Sequence, residues 1–323
     1  MREIKYSKAI DETFKQMMGK DERIIVMGQG VDNPWFVGMS MVGLVEKFGS
    51  KRVIDSPVSE NGITGIAVGA ALAGLRPVVI HPRMDFMLLA MDQMVNHAAK
   101  WHYMFGGKVN VPITIRGIIN RGNEQGAQHS QSLQAMFMHA PGIKVVMPST
   151  PYDAKGLLVA SIEDDNPVLY IDDRWLYDHI GEVPKKLYSI PIGEGVVRRK
   201  GKDVTVVATS YMVFEASKAA ESLEDEGIDV EVVDLRSLKP LDENLLFESV
   251  KKTGRLVIAD ATWKTCGVAA EISALVASNA FEYLKAPVVR VTLLDTPAPS
   301  STTLEKAYYP TSDNIISAVK QIL

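Results

Sequence analysis

Cysteine is nearly absent from this 323-residue chain: Cys266 stands alone, so no intrachain disulfide can form and no cysteine-based metal cluster can be built. Long apolar runs are missing too. The longest uncharged apolar stretch, residues 62–75, is too short to cross a bilayer and is rich in small residues, which reads as a packed helix and speaks against a membrane role. Basic clusters are scarce. No Lys/Arg run exceeds Arg198-Arg199-Lys200 and the net charge is −4, so nucleic acid, which needs a concentrated basic face, is excluded as the main partner. Residues 1–5 lack the apolar core of a secretory signal, and the expectation is a protein of the reducing cytoplasm. No P-loop, HExxH or GxSxG occurs, and Gly28-Gln29-Gly30 lacks the third glycine and the acidic partner of a dinucleotide fingerprint.

What is present is an ordinary globular composition, 46% apolar and 23% charged, arranged as short β-branched runs alternating with amphipathic segments. That alternation signals βαβ units around a parallel sheet. Strands are predicted at residues 24–27, 52–55, 77–80, 113–115, 144–147 and 168–170, with helices at 6–19, 62–75, 86–101 and 152–163. Residues 178–202 then carry glycines, prolines and mixed charges without helical periodicity, the texture of a connection. The alternation restarts at 203–209. The reading is two doubly wound α/β domains, residues 1–180 and 201–323, joined by a linker at 181–200.

Three polar clusters fall where predicted strands end, the edge at which open α/β sheets bind ligands. In the first, Asp55-Ser56-Pro57-Val58-Ser59-Glu60 leads into a helix whose Gly62, Gly65 and Gly69 share one face. Taken alone, Glu60 is a favourable charge in a first helical turn. Apolar neighbours Ile63 and Ile66 would desolvate it in part, which suits a carboxylate to proton exchange. The second cluster, His81-Pro82-Arg83-Met84-Asp85-Phe86, offers an aromatic that is either core or one wall of a slot for a flat heterocycle. The third, residues 121–131, is a glycine-punctuated loop containing His129, a group able to do acid/base work or simply to hydrogen-bond.

With these segments laid out, the whole chain resembles the β subunit of the thiamine-diphosphate-dependent 2-oxo acid dehydrogenase E1 components of pyruvate, branched-chain or acetoin type. The matching stretches stand in the family's order: residues 52–65 (RVIDSPVSENGITG), 74–78 (GLRPV), 91–100 (MDQMVNHAAK), 126–131 (GAQHSQ), 144–156 (KVVMPSTPYDAKG) and 233–242 (VDLRSLKPLD). The resemblance implies a pyrimidine-binding domain followed by a transketolase C-terminal type domain. It implies that Glu60 hydrogen-bonds N1′ of the cofactor's aminopyrimidine, that Phe86 stacks on that ring, and that His129 faces the substrate. It also implies that Ile113, Ser161, Ile162, Asp164 and Asn166 surround a potassium ion.

The Gly-Asp-Gly…Asn motif that holds Mg²⁺ and diphosphate in this family is absent, so the resemblance implies an E1 α subunit that carries it, in an α2β2 assembly. It further implies a lipoyl acyltransferase E2 as acceptor. A second reading, the C-terminal subunit of a split transketolase-like enzyme moving ketol units between sugar phosphates, shares the glutamate and the aromatic. The chain departs from the family where His81-Pro82-Arg83-Met84-Asp85-Phe86 replaces a Phe-Met-Thr-Phe-Asn-Phe type run. Arg83, Arg121 and Glu124 add charge there, and the two arginines either face solvent or receive a substrate with a second anionic group.

Overall fold

The computed structural model describes residues Met1–Leu323. The chain divides into two compact units, one of Met1–Arg121 with Met136–Ile192 and the other of Gly122–Ala135 with Gly193–Leu323. In the first unit the order is β1 (Arg2–Lys5), α1 (Tyr6–Lys20), β2 (Ile24–Gly28), α2 (Leu44–Phe48), β3 (Val53–Asp55), α3 (Glu60–Leu72) and β4 (Arg76–His81). A 3₁₀ turn (Met84–Ala90), a π turn (Asp92–Ala98), α4 (Ala99–Met104) and β5 (Thr114–Ile119) follow. Then come α5 (Gln134–His139), β6 (Lys144–Val146), α6 (Pro151–Glu163), β7 (Val168–Asp173) and β8 (Ile180–Val183). Six of these strands pair in parallel in the order β6-β7-β5-β4-β2-β3. β2, β5 and β7 are buried along their whole length, as the two covered faces of a parallel sheet require; β2 reads as a continuous apolar run, while β5 and β7 also carry Arg116, Asp172 and Asp173, which are paired in the interior.

The second unit contains β9 (Val196–Arg199), β10 (Val204–Ala208), α7 (Tyr211–Glu224), β11 (Val230–Asp234), β12 (Ser237–Lys239), α8 (Glu243–Thr253) and β13 (Leu256–Trp263). It closes with α9 (Val268–Asn279), β14 (Val289–Leu293), α10 (Thr302–Tyr308) and α11 (Ser312–Gln321). Its sheet runs β14-β13-β10-β11-β9, parallel except for β9. Two of the longer helices start on side-chain caps. Thr150 accepts the Asp153 amide ahead of Pro151, and Asp242 accepts the Leu245 amide. No helix is long and apolar enough to cross a membrane.

Three expectations change. The span 181–200 is more than a connection, since β8 pairs antiparallel with β1 and β9 with β11. Both strands are only partly buried, so they lack the apolar run that marks an interior strand. The helix expected over 86–101 is a 3₁₀ turn, a π turn and a short α-helix. Its buried residues Met84, Met87 and Ala90 recur at every third position, the period of a 3₁₀ turn, which a 3.6-residue reading blurs. Finally, residues 122–135 belong with the second unit although they lie inside the first in sequence.

Candidate active site

In the first sheet β3 lies on one side of β2 and β4 on the other, so the direction of winding reverses at β2. The crevice outside the carboxyl ends of β2 and β4 is therefore the topological switch point. A tight turn borders it: the Asp55 carboxylate accepts the Gly30 amide at 2.6 Å, tying the ends of β3 and β2 together. Only glycine fits at position 30, where φ is +68° and a Cβ would lie 2.5 Å from the Phe36 ring.

Glu60 is the first residue of α3, half-buried, and no hydrogen bond or ion pair within the chain engages its carboxylate. Its surroundings are apolar on one side only. Ile63 is buried, whereas Ile66 is exposed and Gly62 and Gly69 leave their face open. One turn along, Thr64 Oγ1 lies 3.3 Å from Nε2 of His81, the last residue of β4. Burial lowers the His81 pKa from 6.5 to about 4, so the imidazole is neutral. The unfolded chain therefore takes up a proton that the folded chain refuses, and stability falls as pH drops from 6.5 toward 4. Urea unfolding across that range is expected to show the native chain losing about 3 kcal/mol more than a His81→Gln variant. Equal slopes would show that His81 is not the group responsible.

Phe86 sits half-buried in the 3₁₀ turn, which packs against α3. This brings a carboxylate and an aromatic ring to one crevice, with the buried Ser56 hydroxyl, which has no partner, at the end of β3. Arg83 caps the same edge. Burial and the like charge of Arg174 push its pKa down, while Asp85 and Tyr177 oppose that. Arg121 behaves differently. Its buried guanidinium is ion-paired to Asp173 and lies 4.6 Å from the Trp175 ring centroid, so its charge is already spoken for. His129 lies half-buried in the second unit, its amide donating to the Gly126 carbonyl at 3.3 Å. Glu60, Phe86 and Arg83 thus share one unit and His129 belongs to the other. Glu124, expected as pocket charge, instead caps α10: its carboxylate accepts the Thr302 amide at 3.3 Å and the Thr302 hydroxyl.

Residues 2–178 match the pyrimidine-binding domain of transketolase, and residues 193–315 match the transketolase C-terminal domain. The chain is 45% identical to the acetoin:2,6-dichlorophenolindophenol oxidoreductase subunit beta of Bacillus subtilis, an alignment covering 100% of this chain and 98% of that one. It is 43% identical to the pyruvate dehydrogenase E1 component subunit beta of Rickettsia felis, over 99% of this chain and 98% of that one. The chain belongs to the E1 β-subunit family. A solved split-gene transketolase, described as an inactive β4 tetramer, matches with TM-score 0.81 over 99% of this chain and 98% of that one. At 24% identity that likeness shows the fold alone, and the ketol-transfer reading gives way to the E1 β reading.

E1 β membership implies thiamine diphosphate as cofactor and an α subunit as partner. Ser56 stands in the first polar cluster of the sequence with no role assigned to it, and Asp173 and Arg174 are not singled out there. Arg174 stands one residue beyond β7, at the same edge as Arg83 beyond β4, so treating every strand end alike would have found it. The five positions of the potassium expectation cluster at the end of α6 and its neighbours. Arg76 Nη1 donates to the carbonyls of Ile162 at 3.1 Å and Asp164 at 3.0 Å, the Thr114 hydroxyl donates to Ser161 O at 2.9 Å, and the Val168 amide donates to Ile113 O at 3.1 Å. The buried Asn166 Oδ1 has no partner.

Proposed function

We propose that this E1 β chain works in a cytoplasmic α2β2 assembly that oxidatively decarboxylates a 2-oxo acid, releasing carbon dioxide and passing two electrons and the acyl group to a lipoyl group of an E2 partner. The observation that carries the reading is the unengaged Glu60 carboxylate at the start of α3, the helix against which the 3₁₀ turn bearing Phe86 packs. These residues fit an aminopyrimidine: a carboxylate for a ring nitrogen, a flat face for the ring, and the spare Ser56 hydroxyl one residue past β3. Thiamine diphosphate, when bound, supplies the carbon that attacks the oxo group and the electron sink for decarboxylation. Glu60 holds a proton at the pyrimidine nitrogen, and Phe86 fixes the plane of the ring. His129 steadies charge on the substrate or assists acyl transfer. Mg²⁺ would be held by the α subunit, which in this family carries the Gly-Asp-Gly…Asn motif. A potassium ion would be held by oxygens of Ile113, Ser161, Ile162, Asp164 and Asn166, of which the Ile162 and Asp164 carbonyls already accept from Arg76 while Asn166 Oδ1 has no partner. The test is turnover of a panel of 2-oxo acids by the copurified α and β chains with an artificial electron acceptor. Turnover that needs both chains, thiamine diphosphate and Mg²⁺ supports the reading, and inactivity of a cofactor-loaded complex on every acid overturns it.

The substrate is one with a second anionic group, received by Arg83, while Arg121 acts indirectly by holding Asp173 and Trp175 in place. A charge-assisted hydrogen bond contributes about 1.5–3 kcal/mol, so Arg83→Ala is expected to shift kcat/KM toward monocarboxylic oxo acids by about 10- to 100-fold. An unchanged preference would remove Arg83 from recognition.

A further inference from the structure

The loop that carries His129 is held at both ends by the second unit, and the two ends differ in kind. At its far end the anchors are the sheet. The Thr262 hydroxyl of β13 donates to the Ser132 carbonyl at 2.9 Å, and Gln134 Nε2 donates at 3.0 Å to the Asp260 carboxylate, which also accepts the Thr209 hydroxyl at 2.7 Å. At its near end the anchor is α10, close to the end of the chain. Glu305, buried to 6% exposure, accepts the Glu124 amide at 3.1 Å, and the Glu124 carboxylate in turn takes the amide and hydroxyl of Thr302. Each glutamate thus binds the other's segment. Ser300 completes the contact, its Cβ 3.4 Å from where a Cβ on Gly126 would stand.

The backbone between these anchors needs holding. Gly122, Asn123, Glu124 and Gly126 have φ of 82°, 55°, 60° and 71°, so two residues with side chains occupy the left-handed region in succession. Such strain persists only where surrounding contacts over-determine it. The contacts supplied here are those of Glu124, Thr302 and Glu305, and His129 lies between them and the sheet anchors.

We infer that Glu124, Thr302 and Glu305 form a clasp that positions His129 for its step, making the segment 300–305 a positioning element for that histidine. The inference rests on the reading of His129 given above. Removing the clasp frees the near half of the loop while the far half stays on β13, so the imidazole loses its place without loss of the fold.

The experiment uses the copurified α and β chains carrying Glu124→Ala, Thr302→Val, Glu124→Gln or His129→Ala. Amide hydrogen exchange reads the clasp directly. Residues 122–131 are expected to exchange at least about 10-fold faster in Glu124→Ala and Thr302→Val, with residues 132–135 unchanged. Turnover reads the consequence: kcat falls about 10-fold or more with KM for the oxo acid nearly constant, and Glu124→Gln, whose amide oxygen still accepts from Thr302, recovers most of it. Unchanged exchange in both variants overturns the clasp. Faster exchange with native kcat overturns the positioning role. His129→Ala separates the causes: if it too leaves kcat native, the reading of His129 has failed, and if it abolishes turnover, the loop holds its place without Glu124.

Discussion

Glu60→Gln in the assembled complex is expected to cut turnover by about 10²- to 10⁴-fold, the range spanned by a positioned proton-transfer group. The amide keeps the shape of the side chain and can still meet a ring nitrogen, but it cannot hold or release a proton at that atom. The site makes this clean to read. The carboxylate has no partner within the chain, so its loss orphans nothing, and its first-turn position on α3 makes the lost dipole interaction a matter of about 0.3–1 kcal/mol. Stability is therefore expected to change little while kcat collapses. Thiamine diphosphate binding, followed by quenching of intrinsic fluorescence, should weaken far less than kcat falls. Turnover within about twofold of native would remove Glu60 from proton handling and with it the main chemical argument for the crevice.

The second large effect lies beneath the same edge. Arg116 is fully buried on β5, and Asp172 on β7 accepts its Nε at 2.9 Å and its Nη2 at 2.7 Å. The Tyr177 hydroxyl accepts from the same guanidinium at 2.9 Å and donates to Asp172, closing a ring of hydrogen bonds. Burial and the adjacent carboxylate push the Tyr177 phenol well above its usual range, so it remains a neutral donor. Arg116→Met leaves Asp172 charged and uncompensated in the interior. Breaking one side of such a pair costs about 3–5 kcal/mol, whereas replacing both partners by apolar groups is often neutral. Chemical unfolding is therefore expected to show a loss of that size for Arg116→Met and a smaller loss for the Arg116→Met, Asp172→Leu double variant. A single variant within about 1 kcal/mol of native would mean that water reaches Asp172.

Much of this architecture was legible because parallel strands buried on both faces are mostly apolar, with runs of β-branched residues at their centres. The strands at 24–28, 76–81 and 168–173 announce themselves for that reason, and the polar residues that follow them announce the ligand edge. Glu60 and Phe86 could be named from local order alone, since each stands a few residues past a strand end. Edge strands were not legible. β8 and β9 expose alternate or partial faces and carry Gly, Glu and Arg, a composition shared with connections. The π and 3₁₀ turns after β4 were hidden as well, because apolar spacing of three and of 3.6 differ by less than one residue per turn.

Arg121 shows the limit most directly. Sequence offers a cation in a polar loop, available to an anionic ligand. The structure engages it with Asp173, 52 residues away, because the parallel pairing of β5 with β7 sets Ile119 opposite Asp173 and so brings the two chain segments level. Glu124 follows the same rule, reaching Thr302 across 178 residues of chain. The sequence by itself determined the α/β class, the strand-end clusters and the E1 β motifs, since these depend on local apolar period and residue order. Only the tertiary structure decided that Arg121 and Glu124 are engaged within the chain and which unit carries the His129 loop, because strand register and chain return set those pairings and neither is written in any local run of residues.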